Sequence, residues 1–165
     1  MVDANKLILS RHFEEVLNQG RLDVIDDIYA DGYVLDAPVQ TDGSVQEHGE
    51  TRGRDGLKRR VTLFRTAFPD IHFLIDNLIA EGDQVAVQYT FSGTHTGQFG
   101  ELAPSGRHIS VTGILIALVR DGKIERALSV FDSGDMMHQL EPEHKSPMHH
   151  VTDSLVGRVR QVQHR

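Results

Sequence analysis

Asp121-Gly122-Lys123-Ile124-Glu125-Arg126-Ala127-Leu128-Ser129-Val130-Phe131-Asp132-Ser133-Gly134-Asp135-Met136-Met137-His138-Gln139-Leu140 is the stretch from which the chain is best read. Asp121-Gly122 is a two-residue hairpin signal. An apolar strand follows from Ile124 to Phe131 and ends on a carboxylate, Asp132. Alternation gives Ile124, Leu128 and Val130 the parity of Asp132 and predicts one shared face. If that face is the interior, an ionisable group is aimed into apolar space. That costs free energy unless the group is paired, solvated or kept protonated, and such placements are enriched at functional sites. The other reading makes Asp132 the cap of whatever follows the strand, its oxygen on a backbone N–H.

A hairpin strand needs partners, and the two-residue period continues upstream. Ile71 to Ile79, Val85 to Ser92 and Ile109 to Val119 read as strands, with a further turn at Glu81-Gly82-Asp83. On the longest of them, Ile109, Val111, Leu115 and Val119 share one parity, and Ile114, Ile116 and Leu118 the other. Both faces are apolar, so one should line a pocket and the other be covered by a second subunit, giving a homodimer or higher homo-oligomer.

Before residue 70 the period is helical. Residues 4–19 set Leu9, Phe13, Val16 and Leu17 on one stripe, and Gly20 stops them. A second helix is expected over 22–30, then a strand from Tyr33 to Ala37 broken by Pro38. Residues 39–53 read as a long polar loop, and Leu57, Val61, Phe64 and Phe68 predict a third helix over 54–68, ended by Pro69. Three helices and an antiparallel meander make an α+β domain over residues 1–140, its helices covering one face of a curved sheet around a cone-shaped pocket. Residues 141–165 form a polar extension, read as either a short helix on Val151, Leu155, Val159 and Val162 or a mobile tail.

Composition narrows the function classes. A hydrophobic share of 39% is that of a globular chain, and the formal net charge of -7 argues against a nucleic-acid partner. The absence of cysteine removes disulfides, thiolate nucleophiles and thiolate metal ligands. The opening Met1-Val2-Asp3-Ala4-Asn5-Lys6 lacks a signal-peptide pattern, and no apolar run approaches membrane-spanning length, so a cytoplasmic protein without a membrane partner is expected.

The order of elements resembles that of the SnoaL-like polyketide cyclases, ester cyclases included, of the nuclear transport factor 2-like superfamily. Residues 13–37 are similar to the family's opening helix pair and first strand. Thr51-Arg52-Gly53-Arg54-Asp55-Gly56-Leu57 resembles its approach to the third helix, and Phe68-Pro69-Asp70 its exit. Gly93-Thr94-His95-Thr96-Gly97 with Pro104-Ser105-Gly106-Arg107 is similar to a loop of ester cyclases, and Asp121 to Glu125, Asp132 and Gln139-Leu140 to the closing segment. Leu128 departs from a position where family members often carry tryptophan, as does Met136-Met137-His138 from the usual small or apolar residues, which puts the substrate's shape in question.

The resemblance implies a cystatin-like α+β barrel. It also implies a cofactor-free intramolecular aldol ring closure on a small hydrophobic, aromatic polyketide-like ester, an acid-base reaction of lyase or isomerase type. It sets Asp132 at the family's acid/base carboxylate. A carbon between two carbonyls is acidic enough for a single carboxylate, which can then return the proton to the attacked carbonyl oxygen. His95 is the second catalytic candidate, for a hydrogen bond to the substrate or to Asp132, against a plain loop histidine. Tyr33, Asp36, His72, Gln88, Phe91 and Phe131 are the substrate-binding candidates. Each also has an ordinary role, as core, turn residue, outer sheet face or packing. Epoxide or ester hydrolysis in the same pocket is one alternative, epoxide opening requiring two carboxylates, Asp132 and Asp36, about an arginine, Arg126, and a non-catalytic ligand-binding or dimerising module is another. Three signals read as ordinary structure. The glycines around His95 lack the setting of a phosphate loop, Lys58-Arg59-Arg60 reads as a solvated helix face, and His144, His149 and His150 fit no defined zinc spacing. No metal and no cofactor are expected.

Overall fold

The computed structural model describes residues 2–39, 42–45 and 49–141, so residues 142–165, with His144, His149 and His150, lie outside the described residues. The first helix, α1, spans Val2–Arg11 and continues through π-helical turns over His12–Asn18. Gln19 N–H bonds the carbonyl of Glu14 at 3.0 Å, a five-residue step, and Gly20 at φ +69° turns the chain away. A wide turn of this kind is uncommon and is found mostly at functional sites. The second helix, α2, is Asp23–Ile28, shorter than expected because the chain is extended from Tyr29 onward as β1, Tyr29–Asp36.

The segment read as a loop contains a short edge strand, β2, Glu50–Arg52, antiparallel to β1. Three residues bounded by polar sequence carry too little periodicity to be seen as a strand. The third helix, α3, is Gly53–Ala67, followed by β3 (His72–Glu81), β4 (Gln84–Thr94), β5 (His108–Arg120) and β6 (Lys123–Phe131). The strands form one six-stranded sheet in the order β2-β1-β6-β5-β4-β3, antiparallel except where β1 runs parallel to β6. This is the expected α+β arrangement: helices against one face of a curved, mostly antiparallel sheet, with Leu9, Phe13, Ile25, Val61 and Phe68 buried from the helical side.

A last helix, α4, Ser133–Leu140, follows β6. Its signals are Asp132 as N-cap and the i, i+4 pair Met136 and Leu140, both buried. Gln139 fastens it to β5: its amide accepts from Ser110 N–H at 2.8 Å and donates to the Ser110 carbonyl at 3.0 Å, as a neighbouring strand would.

The face carried by β6 differs from simple alternation. Val119 pairs with Ile124 and Leu118 with Arg126, so Glu125 is an extra residue in the ladder. The bulge shifts the parity. Ile124 points inward, as do Ala127, Ser129 and Phe131, whereas Leu128 and Val130 lie exposed on the outer side; Asp132, past the end of β6, is exposed. On β5 the two predicted faces stand as expected: Ile109, Val111, Leu115 and Val119 are buried, and Ile114 and Ile116 are exposed.

Candidate functional site

A cavity of about 70 Å³ opens between the helices and the sheet. The π-helical turns contribute His12, Phe13 and Leu17, and β1 contributes Tyr33 and Leu35. Leu57, Arg60, Val61 and Phe64 come from one stripe of α3, spaced i, i+3, i+4, i+7. The sheet supplies Phe73, Tyr89, Phe91, Leu115, Ser129 and Phe131, all on inward parities. Phe91 stands against Phe131 at 5.5 Å between ring centroids and stacks on Phe73 at 5.3 Å, so one wall is a continuous aromatic surface. Opposite Tyr89 and Phe131 there is no side chain on β5. A Cβ on Gly113 would stand 2.7 Å from the Tyr89 hydroxyl and 2.9 Å from the Cβ of Phe131, so glycine is what lets these two side chains occupy the cavity.

The polar groups in this apolar hollow are few and are neutral or cationic. His12 is buried, its Nδ1 2.6 Å from the Tyr29 hydroxyl, and burial alone pushes its pKa down to about 3. The imidazole is therefore neutral at ordinary pH, with Nε2 left to face a ligand. The Tyr89 hydroxyl and Ser129 Oγ share a buried hydrogen bond of 2.8 Å. Burial raises the pKa of Tyr33 and Tyr89, keeping both phenols protonated and able to donate. Arg60, 8% exposed, sits with its guanidinium 5.3 Å from the Phe64 ring centre, and desolvation pushes its pKa down to about 10. Among the described residues, no Asp or Glu is on the lining.

The structure brings three of the sequence-derived candidates together here: Tyr33, Phe91 and Phe131. The others stand off the lining. Asp132 follows Phe131 directly but is exposed, and its Oδ1 accepts from the Asp135 N–H at 2.7 Å as the cap of α4. The cap reading is thus the one observed: Asp132 lies past the end of β6, exposed, with one oxygen on the start of α4. His95 is buried in the β4–β5 connection, 5.3 Å from the Phe68 ring, with Ser105 Oγ 3.0 Å from Nδ1, and burial lowers its pKa. His72 and Gln88 are exposed on the outer sheet face, where Gln88 accepts from Asn77 at 2.8 Å. Asp36 accepts from Gly49 N–H at 3.3 Å and, with Glu50 and Arg126, borders an open groove of about 370 Å³ on that other side. This hollow is larger than the inner cavity, yet it lies open to solvent at the sheet edge and lacks enclosure.

Sequence reading missed His12, Tyr89, Ser129 and Arg60. Arg60 corrects the expectation of a solvated Lys58-Arg59-Arg60 face: Arg59 is exposed and Lys58 bonds Asp26 at 2.9 Å, but Arg60 lies three residues after Leu57, on the buried stripe. Leu128, the departure from tryptophan, is on the outer face and does not shape the cavity. Among the described residues, no cluster of potential ligands could hold a metal ion, and no helix is long and apolar enough to cross a membrane.

The sequence model of the SnoaL-like polyketide cyclases matches residues 7–140. No curated protein matches the chain. Among solved structures, a candidate polyketide cyclase of Acidithiobacillus ferrooxidans is 27% identical, with a TM-score of 0.68 over 83% of this chain and 94% of that one. A candidate SnoaL-like polyketide cyclase of Jannaschia sp. CCS1 shares the fold at 21% identity and a TM-score of 0.73, over 85% and 94%. AclR of Streptomyces galilaeus, described as a candidate hydroxylase, shares it at 21% and 0.71, over 87% and 89%. One scaffold thus carries more than one reaction name, and the reaction has to be argued from the site.

Proposed function

The chain belongs to the SnoaL-like polyketide cyclase family, and from that premise we propose a cofactor-free, cyclase-like enzyme that closes a ring on a small hydrophobic carbonyl or ester substrate. The observation that carries this reading is the cavity's chemistry: aromatic walls enclosing protonated phenols, a neutral imidazole and a guanidinium, with no carboxylate among them. An aldol step turns a neutral carbonyl compound into an enolate and then an alkoxide, and hydrogen-bond donors preset in a dry site stabilise such charge where it develops. Tyr33, with Phe91 and Phe131 as flat walls, is suited to hold a planar dicarbonyl segment.

Asp132 is the proposed acid/base. It adjoins Phe131, a wall of the cavity, and its Oδ2 is outside the cap bond, so the exposed carboxylate has an oxygen left for a substrate. A second assignment is favoured by one observation: His12 lies on the lining and Asp132 does not. With a pKa near 3 the imidazole is a weak base at neutral pH, better suited to donating a hydrogen bond from Nε2 than to taking a proton from carbon. The enzyme is further proposed to act as a homodimer through the exposed sheet face.

Incubating the protein with a panel of aromatic β-keto esters and following ring closure by NMR tests the proposal. Asp132→Asn should lower turnover by roughly 10²–10⁴-fold, and His12→Gln by much less. The reverse ranking would move the proton transfer to His12. Saturable binding of the esters by the unaltered protein, with no product, would make it a binding module.

A further inference from the structure

Arg60 has no place in the acid/base assignment, yet it is one of two guanidinium groups in the cavity wall, with Arg65. It stands on the apolar stripe of α3, 8% exposed, and its Nη1 has no hydrogen-bond partner. Among the described residues it forms no ion pair. Its neighbour Arg65, half-buried on the same wall, is fastened to the Leu17 and Asn18 carbonyls at 2.9 and 2.8 Å, and so is already committed. The guanidinium carbon of Arg60 lies over the Phe64 ring, a cation–π contact that uses none of its N–H donors. Arginine cannot shed its charge as lysine can, so a buried fork without a counter-ion is costly and is retained where something else supplies the anion.

We propose that Arg60 is a ligand-binding residue of the cavity and receives the carboxylate of an otherwise apolar monoanionic ligand. The guanidinium fork matches a planar pair of oxygens. Because Arg65 is bonded to carbonyls, Arg60 is, among the described residues, the lining guanidinium with a free donor, so the site offers one carboxylate a fork and the aromatic walls take the rest of the molecule. Size bears on the ligand as well. About 70 Å³ is less than half of the ~150 Å³ apolar cavity that admits benzene, so the enclosed part of the hollow takes a branched aliphatic group and a larger ligand extends through its open side. The inference rests on the proposed function only in taking this cavity as the ligand site.

The test is a titration of ¹⁵N-labelled protein with isobutyrate and with isobutyramide, which has the same shape and no charge. The Arg60 Nε–Hε cross-peak, identified by its absence in Arg60→Lys, reports the site. Isobutyrate should move it to saturation, with the amide at least roughly tenfold weaker. In Arg60→Met, followed through the tyrosine ring signals, isobutyrate should lose at least roughly tenfold in affinity while the amide is unchanged. Arg60→Lys should keep part of the preference, having the charge but not the fork. The methionine variant is expected to melt no lower than the parent, since an unpaired buried charge is removed. If it misfolds, the lysine variant's loss of preference decides. Equal binding of acid and amide, no binding of either, or an identical shift with sodium chloride at the same ionic strength would each overturn the assignment. If isobutyrate binds through Arg60 and no β-keto ester turns over, the anion site stands and the cyclase reading falls. If esters turn over and isobutyrate neither binds nor inhibits, the cyclase reading stands and the anion site falls.

Discussion

At the residue scale, His12 shows how burial sets a charge state that then constrains both chemistry and stability. Its imidazole is enclosed by Phe13 and Tyr29, and the only polar contact at Nδ1 is the Tyr29 hydroxyl, so protonation on the folded chain is opposed by desolvation. The folded pKa, about 3, lies below the 6.5 of a free histidine. In between, the unfolded chain binds a proton that the folded chain refuses, so the stabilisation is complete above about pH 6.5 and drains away as pH falls towards 3. Lowering pH from 7 to 5 should therefore cost on the order of 1–2 kcal/mol from this one group. His12→Gln, which keeps a polar partner for Tyr29, should flatten the melting temperature over that range. His95, also lowered by burial, adds a smaller slope of the same sign that the variant retains. A parent protein whose melting point does not move between pH 7 and 5 would contradict a neutral buried imidazole. Arg60 teaches the same lesson from sequence: its position on the Leu57, Val61, Phe64 stripe was legible, but a basic triplet reads as solvated when charge is weighed ahead of helical phase.

At the scale of elements, the join between β6 and α4 carries the proposed acid/base, and its cap separates chemistry from structure. Asp132 Oδ1 accepts from the Asp135 N–H, one of the donors that a helix start leaves unsatisfied. Asparagine is as good an N-cap as aspartate, whereas alanine loses the bond at about 1 kcal/mol. Asp132→Asn should therefore melt within a few degrees of the parent, and Asp132→Ala clearly below the asparagine variant, by chemical denaturation at neutral pH. Should both lose the same stability, the cap contributes nothing and the asparagine variant is no clean probe of turnover. The helices over α1 and α3, the meander β3 to β6 and the two hairpin turns are all readable from periodicity, because long amphipathic segments repeat their signal many times. The three-residue β2 and the single inserted Glu125 repeat nothing. That one bulge sufficed to send Leu128 and Val130 to the outer face, since a shift of one residue exchanges the two sides of a strand. The cavity walls Tyr33, Phe91 and Phe131 were visible as aromatics at inward positions, whereas Tyr89–Ser129 and His12–Tyr29 depend on which elements meet, which no single segment encodes.

For the whole molecule, the unresolved matter is the sheet's second face. Ile114 pairs across the ladder with Val130 and Ile116 with Leu128, giving a block of aliphatic side chains at the middle of the sheet, with Ile114 51% and Val130 54% exposed. Ile79 extends it over β3 through Ala86, which pairs with Ile116. An antiparallel sheet with one solvated face ordinarily alternates apolar and polar residues, and a contiguous apolar block on that face signals an interaction surface. A two-fold pairing of identical faces covers such a block on both copies at once, which favours a homodimer over an open-ended contact. Light scattering at micromolar concentration should then give twice the 18.5 kDa chain mass. Ile114→Glu should give the single-chain mass, because two carboxylates would meet near the centre of the interface without partners. The outward side chain touches nothing in the inner cavity, so isobutyrate binding should survive in the monomeric variant. A parent protein already monomeric at that concentration would remove the second copy as the cover of this face, and a dimer that persists in Ile114→Glu would place the contact elsewhere on the molecule.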